Sequence, residues 1–411
     1  MSAVPSTSAA GRQRRLSIGF LNWAHALDHY VMLVFPTVVI ALQATSGRGY
    51  GELLALGTAS FLAFGLFSLP AGWLADRWSR RNMIALFYLG CGVSLVGAGL
   101  SPNLVVLAVS LFALGVFAAI YHPVGTAMVV EQAAARGRAL ALNGVCGNLG
   151  VSLAAGITAV LVSALGWHGA FLVPAAACLA SGVAYLRLVP DEPRKEGGRA
   201  TAPDVPLAAW LAATVFALFV VIALSAGLVF QIATIALPKI VDERLGAGGA
   251  GVPLVVVGGV ATAIFLCGAL AQLSVGRLVE KFPPHLLFAA VALLQFVGIV
   301  WAAGATGLAL LPALALTVAA IYGQVTVNDL VIARYSADAW RGRIYAVRYF
   351  LTFLVSGAAV TMIAFLHERG GFDLVLATTA AVALGFVLAT VAMAVLVNRV
   401  ERGQARPAPA E

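Results

Sequence analysis

Three ionisable side chains stand together in an otherwise apolar stretch near the start of the chain: His25, Asp28 and His29. Their spacing of i, i+3 and i+4 puts all three on one face of a helix. An imidazole changes charge within the physiological pH range, and a carboxylate beside it can exchange a proton with it. On a helix beginning near residue 17, Asp28 falls about 16 Å along the axis. That depth is close to the middle of a hydrocarbon layer ~30 Å thick. Ionisable groups so placed are costly to keep and mark a functional site by default. Asp28 is therefore the candidate proton carrier, with His25 and His29 as the groups that tune it. The competing reading is a polar network that only ties neighbouring helices together.

Other candidates are scattered. His122 precedes Pro123, whose ring frees a helix carbonyl that a polar side chain can satisfy, so His122 is either a substrate contact or that structural partner. In the second half of the chain, Asn328, Asp329 and Arg348 lie at similar depth. Asp329 and Arg348 form either a structural salt bridge or an anion site in which Asp329 holds Arg348 when substrate is absent. Gln231, Tyr30, Tyr121, Tyr322 and Tyr349 complete the set of candidate substrate contacts. The His25-x3-His29 spacing could also hold a metal. Membrane oxidases with two irons need several such boxes, however, and this chain has six histidines, of which His168, His285 and His367 fall at loop ends. That counts against an enzyme and leaves divalent metal export through His25, Asp28, His29 and His122 as an alternative. No resident cofactor or metal is expected. The four cysteines have no CxxC spacing and fall in apolar stretches, as packing residues do.

The elements that position these groups follow from composition. Of 411 residues, 61% are hydrophobic and 10% charged, too apolar for a water-soluble fold. Apolar stretches long enough to cross a bilayer recur near 17–43, 52–74, 83–101, 104–130, 139–165, 168–188, 208–238, 252–275, 286–303, 307–333, 343–366 and 374–397. The expected fold is thus an all-α membrane protein of twelve transmembrane helices. Its parts are a cytoplasmic tail at 1–16, one six-helix half at 17–188, a cytoplasmic linker at 189–207, a second six-helix half at 208–397 and a cytoplasmic tail at 398–411. The tail before the first helix is basic and shows no cleavage pattern, so that helix is expected to remain in the mature protein. The net charge of +8 comes from residues set singly or in pairs between apolar stretches, which argues against nucleic-acid binding. With the N-terminus inside, 20 of the 25 Lys and Arg lie on the cytoplasmic side. That asymmetry predicts an even number of spans with both termini in the cytoplasm of a cell inner membrane.

The halves repeat each other. Phe35-Pro36-Thr37-Val38-Val39 matches Leu237-Pro238-Lys239-Ile240-Val241. Gly72-Trp73-Leu74-Ala75-Asp76-Arg77 matches Gly276-Arg277-Leu278-Val279-Glu280-Lys281, and Arg136-Gly137-Arg138 matches Arg341-Gly342-Arg343. The offsets, 202, 204 and 205 residues, are nearly constant. Such a repeat predicts a binding cavity between two halves and alternating access to it.

The segment Gly72-Trp73-Leu74-Ala75-Asp76-Arg77-Trp78-Ser79-Arg80-Arg81 resembles the loop between the second and third helices of the major facilitator superfamily, Gly-x-Leu-Ala-Asp-Arg-x-Gly-Arg-Arg, with Ser79 in place of the second Gly. The resemblance covers the whole chain. It implies a gate of Gly72, Asp76, Arg77 and Arg80 in which Asp76 pairs with cations and a helix end, the candidate partners being Arg136 of the same half and Arg341 and Arg343 of the other. Within that superfamily, Tyr121-His122-Pro123 and Gly147-Asn148-Leu149-Gly150 resemble the fosmidomycin-resistance group of exporters. Two marks of proton-driven drug exporters are missing: Leu114-Gly115-Val116-Phe117 has no cation, and no Pro follows Gly147. Both departures count against antiport by the usual motifs. The resemblance implies a monomeric secondary transporter with the bilayer, a small-molecule substrate and protons as its partners. The expectation is an antiporter for efflux of a small organic solute, an anion if Arg348 contacts it. Uptake of an organic acid is the runner-up. A membrane receptor would instead be expected to carry an appended soluble domain.

Overall fold

A computed structural model of the chain describes residues 9–133, 135–191, 209–246, 251–335 and 338–404. Among them every regular element is helical, one 3-10 turn at Gly307–Ala309 included. The helices are α1 (Ala9–Ser46), α2 (Tyr50–Ala55), α3 (Thr58–Leu66), α4 (Ser68–Arg77), α5 (Arg80–Gly99), α6 (Leu104–Ala118), α7 (Tyr121–Gln132), α8 (Arg136–Leu188), α9 (Ala209–Leu245), α10 (Leu254–Leu278), α11 (Pro284–Gly304), α12 (Leu310–Tyr335) and α13 (Asp338–Gln404).

The expected twelve spans map onto these helices through their breaks. The stretch at 52–74 is α2, α3 and α4, bent by 41° at Phe67. Pro70 has no N–H, and its ring clashes with the carbonyl of Leu66, four residues back, where α3 ends. The stretch at 104–130 is broken into α6 and α7 at Ala119–Ile120, and Ala119 stands four residues before Pro123. Conversely, α8 and α13 each carry two spans. α8 turns at Gly166, with φ +73°, and α13 at Gly370–Gly371, where Gly371 has φ +58°. Those positive φ values suit glycine and cost other residues strain. The two glycines stand 205 residues apart, the offset of the Arg-Gly-Arg repeat, and Pro36 and Pro238 both lie inside their helices, α1 and α9.

The chain divides into two compact units. One holds residues 1–196 and 253–262, the other residues 197–252 and 263–411. In the first, α1 is the centrepiece and packs against α8. A Cβ on Gly150 would stand 2.1 Å from the Ala26 carbonyl, so that crossing depends on the missing side chain. Trp23 Nε1 donates to Ser181 Oγ at 2.9 Å, and Tyr88 Oη on α5 donates to the Phe20 carbonyl at 2.6 Å. The expected polar tail before α1 is helical from Ala9, and Gln13 donates to the Leu188 carbonyl. α3 meets α6 as closely, since a Cβ on Gly115 would lie 2.0 Å from the Ser60 carbonyl. Small residues at helix crossings let backbones approach where lipid gives no hydrophobic drive.

The second unit is built on α9, α11, α12 and α13, whose Ile222, Ala226, Phe288, Val291, Ala292, Val327, Val331, Phe386 and Ala389 form one apolar core. Phe288 and Phe386 meet edge to face at 5.4 Å. Val105, Leu270 and Leu293 are exposed, as side chains are that face lipid. His285, expected at a loop end, is buried in the first turn of α11, with Nε2 3.1 Å from Asn398 Oδ1. Proline at the start of α11 fixes the turn that carries it inward.

Candidate functional site

α1 carries His25, Asp28 and His29 on one face, and α7 meets that face with His122 and Tyr121. Asp28 is 0% exposed. Its Oδ2 lies 3.3 Å from His122 Nε2, and among the described residues no lysine or arginine reaches it. The three imidazoles form a nearly regular triangle, with ring centroids 5.0 Å apart for His25 and His29, 5.2 Å for His25 and His122 and 5.3 Å for His29 and His122. His29 and His122 are not fully buried, whereas the carboxylate is sealed.

His25 is the most firmly held. Its Nδ1 lies 2.7 Å from the Asn143 carbonyl. A carbonyl only accepts, so Nδ1 carries the hydrogen. In the neutral ring Nε2 therefore keeps its lone pair. One face of the ring stacks on Tyr121 at 4.8 Å. A ring face also lies against Gly147: a Cβ there would stand 2.6 to 2.9 Å from Nε2, Cε1 and Cδ2 alike, which only a face-on approach produces. Asn143, on α8, extends the network, donating from Nδ2 to Tyr121 Oη at 2.8 Å and to Asn22 Oδ1 at 3.0 Å. Neither Asn143 nor Asn22 stands out in the sequence. Both are neutral, and only the fold brings α8 against α1. Phe64 of α3 closes the far side of His122 at 5.9 Å.

Of the expected substrate contacts, Tyr121 and His122 thus join the cluster on α1. Tyr30 is buried elsewhere in the first unit. Gln231, Tyr322 and Asn328 belong to the second unit, where Tyr322 packs between Phe230 and Phe265 over Gly268. The side chains of Asp329, Arg348 and Tyr349 lie outside the described residues.

In the expected gate segment, Arg80 bridges two carboxylates, Asp76 Oδ1 at 3.0 Å and Glu131 Oε2 at 2.8 Å. Arg77 stacks over Trp73 at 4.1 Å, and Gly72 lies against Pro123. Ser79 caps α5 by accepting from the Asn82 N–H at 3.1 Å and donates to Asp191 at 2.8 Å, the work that a second Gly at this position of the motif could not do. Arg81 donates to the carbonyls of Leu186 and Val189. Glu131 and Asp191 were not legible as partners, being 51 and 112 residues away from theirs. The side chains of Arg136, Arg341 and Arg343 lie outside the described residues, as does the linker from 192 to 208.

The sequence profile described as the Major Facilitator Superfamily matches residues 18–360. The chain is 28% identical over 153 residues to the probable sulfoacetate transporter SauU of Cupriavidus necator, 35% of each chain. To the niacin transporter NiaP of Acinetobacter baylyi it is 28% identical over 156 residues, 37% of this chain and 35% of that one. To the puromycin resistance protein pur8 of Streptomyces alboniger it is 32% identical over 154 residues, 36% and 30% of the two chains. These matches span only about a third of each relative. Among solved structures, a bacterial homolog of the human lysosomal transporter Spinster, inward-facing and unoccupied, aligns over 100% of both chains with TM-score 0.71 and 16% identity. A D-xylose-proton symporter aligns over 92% of this chain and 96% of its own, with TM-score 0.70 and 14% identity. At those identities the likeness is one of fold.

Proposed function

Because this chain belongs to the major facilitator superfamily, we propose that it is a secondary transporter that exports a small organic acid across the cytoplasmic membrane in exchange for protons, with Asp28 as the proton carrier. That it is a multi-pass membrane transporter and not an enzyme follows from the family. Substrate, direction and coupling are our reading.

The observation that carries it is the complete burial of the Asp28 carboxylate with a histidine and, among the described residues, no lysine or arginine at its side. A bare carboxylate in a dry interior costs several kcal/mol or more, so its charge must be matched by a proton, on itself or on the imidazole beside it. A group that binds a proton in one state and yields it in another is what coupling requires, because a ligand shifts a conformational equilibrium only through unequal affinity for the two states. In this reading His122, 3.3 Å from the carboxylate, hands the proton to Asp28, and His29, which is not fully buried, receives it first. Asn143 and Tyr121 keep His25 in one tautomer and one orientation.

The choice of an organic acid is supported by relatives named for sulfoacetate and niacin, both small acids. Export is supported by the relative named for puromycin resistance and by the Tyr121-His122-Pro123 and Gly147-Asn148-Leu149-Gly150 segments. Proteoliposomes with an imposed pH gradient, offered a panel of radiolabelled organic acids, test the reading. At least one acid should move against its gradient when protons move the other way. Uptake that follows the proton, or movement indifferent to the gradient across the panel, would replace it.

A further inference from the structure

Four side chains on α1 and α7 carry the donor atoms of a transition-metal site, and we propose that His25, His29, His122 and Asp28 bind one divalent ion of the zinc class. The proposal stands on the geometry alone and does not depend on the role given to Asp28 above.

The donor nitrogens of the three histidines lie within 4.8 Å of one another. That is wider than the ~3.3 Å between ligands of a closed tetrahedral zinc site, and rotation of the His29 and His122 rings toward the fixed His25 would close the difference. The triangle of centroids favours closure. Sides of 5.0, 5.2 and 5.3 Å leave a point about 3 Å from all three rings, close to the sum of a Zn–N bond of about 2.0–2.1 Å and half a ring. The Asp28 carboxylate, 3.3 Å from His122 Nε2, supplies a fourth, anionic donor and balances half of the ion's charge.

Three further features fit a metal better than a merely packed cluster. First, His25 gives its Nδ1 hydrogen to a backbone carbonyl, the outer contact that fixes a ligating histidine and leaves Nε2 to the ion. Second, no lysine or arginine among the described residues approaches Asp28, so its site is one that a cation can enter without displacing another. Third, His29 and His122 are not fully buried, which leaves an ion a way in. Three imidazoles and one carboxylate select zinc, cobalt, nickel or copper over magnesium and calcium, which take oxygen ligands. All four ligands come from one unit of the chain. An ion bound there would engage the imidazole lone pairs and the carboxylate together.

The test uses the full-length protein in detergent, purified through a tag without histidines. Titration with cobalt chloride should give the visible absorption of tetrahedral cobalt, saturating at one ion per chain and lost on addition of zinc chloride. A thousandfold excess of magnesium should leave it unchanged. His29→Ala and His122→Gln should each weaken binding at least about tenfold. Asp28→Asn, which keeps the three imidazoles, should weaken it less than either. His168→Gln and His285→Gln, away from the cluster, should bind as the unaltered chain does. Absence of saturable binding, or binding that survives both His29→Ala and His122→Gln, would overturn the site.

Discussion

Asp28 and its three histidines are held by contacts of unequal strength, and substitutions should separate them. His25 stacks on Tyr121, lies against Gly147 and is bonded to Asn143, whereas among the described residues His29 meets the cluster through ring contacts. His29→Gln should therefore shift the pH dependence of transport without abolishing it, measured as initial rates in proteoliposomes across pH. An unchanged profile, or complete loss at every pH, would deny His29 its tuning role. At the gate segment, Asp76 shares Arg80 with Glu131. Asp76→Asn should slow turnover while substrate affinity stays within about twofold, since a gating contact stabilises one state rather than the bound substrate. Turnover equal to that of the unaltered chain at equal expression would remove Asp76 from the gate. The face formed by His25, Asp28 and His29 was legible because helical periodicity is local. The arrival of His122, 94 residues after Asp28, was not, and Asn143 carries no charge to attract notice. Sequence marks a costly residue; the neutral groups that hold it are visible only once helices are packed.

At the scale of elements, close crossings and breaks set where those residues sit. Gly150 lets α8 come within backbone distance of α1, so Gly150→Leu forces the two helices apart or distorts both. Overpacking of this kind costs about 1–3 kcal/mol, and should lower the unfolding temperature in detergent by several degrees. Gly137→Leu, at a glycine whose added Cβ would meet nothing within 4 Å among the described residues, is the control and should leave it unchanged. Equal melting of the two variants would mean that α1 and α8 do not depend on that approach. The number of spans was legible, because apolar length is counted along the chain. The gap expected between 165 and 168 falls at the Gly166 turn, and the one between 366 and 374 contains Gly370–Gly371. The interruptions at Phe67 and at Ala119–Ile120 were not foreseen, although Pro70 and Pro123 mark both. A proline inside an apolar run can kink a helix or end it, and packing decides which.

For the whole molecule, the repeat noticed in sequence reappears in the backbone, with paired prolines in α1 and α9 and paired glycine turns in α8 and α13. The excess of Lys and Arg in alternate loops predicts the orientation. A cysteine placed in the 192–208 segment should react with a membrane-impermeant reagent only in inverted vesicles, and labelling in intact cells would reverse the topology. The central claim is that protonation of Asp28 drives transport, and Asp28→Asn tests it most directly, because the amide keeps the shape of the protonated acid and cannot release a proton. In proteoliposomes loaded with a transported acid, the variant should lose accumulation against a gradient by at least about tenfold while still exchanging labelled for unlabelled substrate. Exchange needs the conformational cycle but no net proton movement. Gradient-driven accumulation by Asp28→Asn at the rate and pH dependence of the unaltered chain would contradict the account and leave the cluster without a part in coupling.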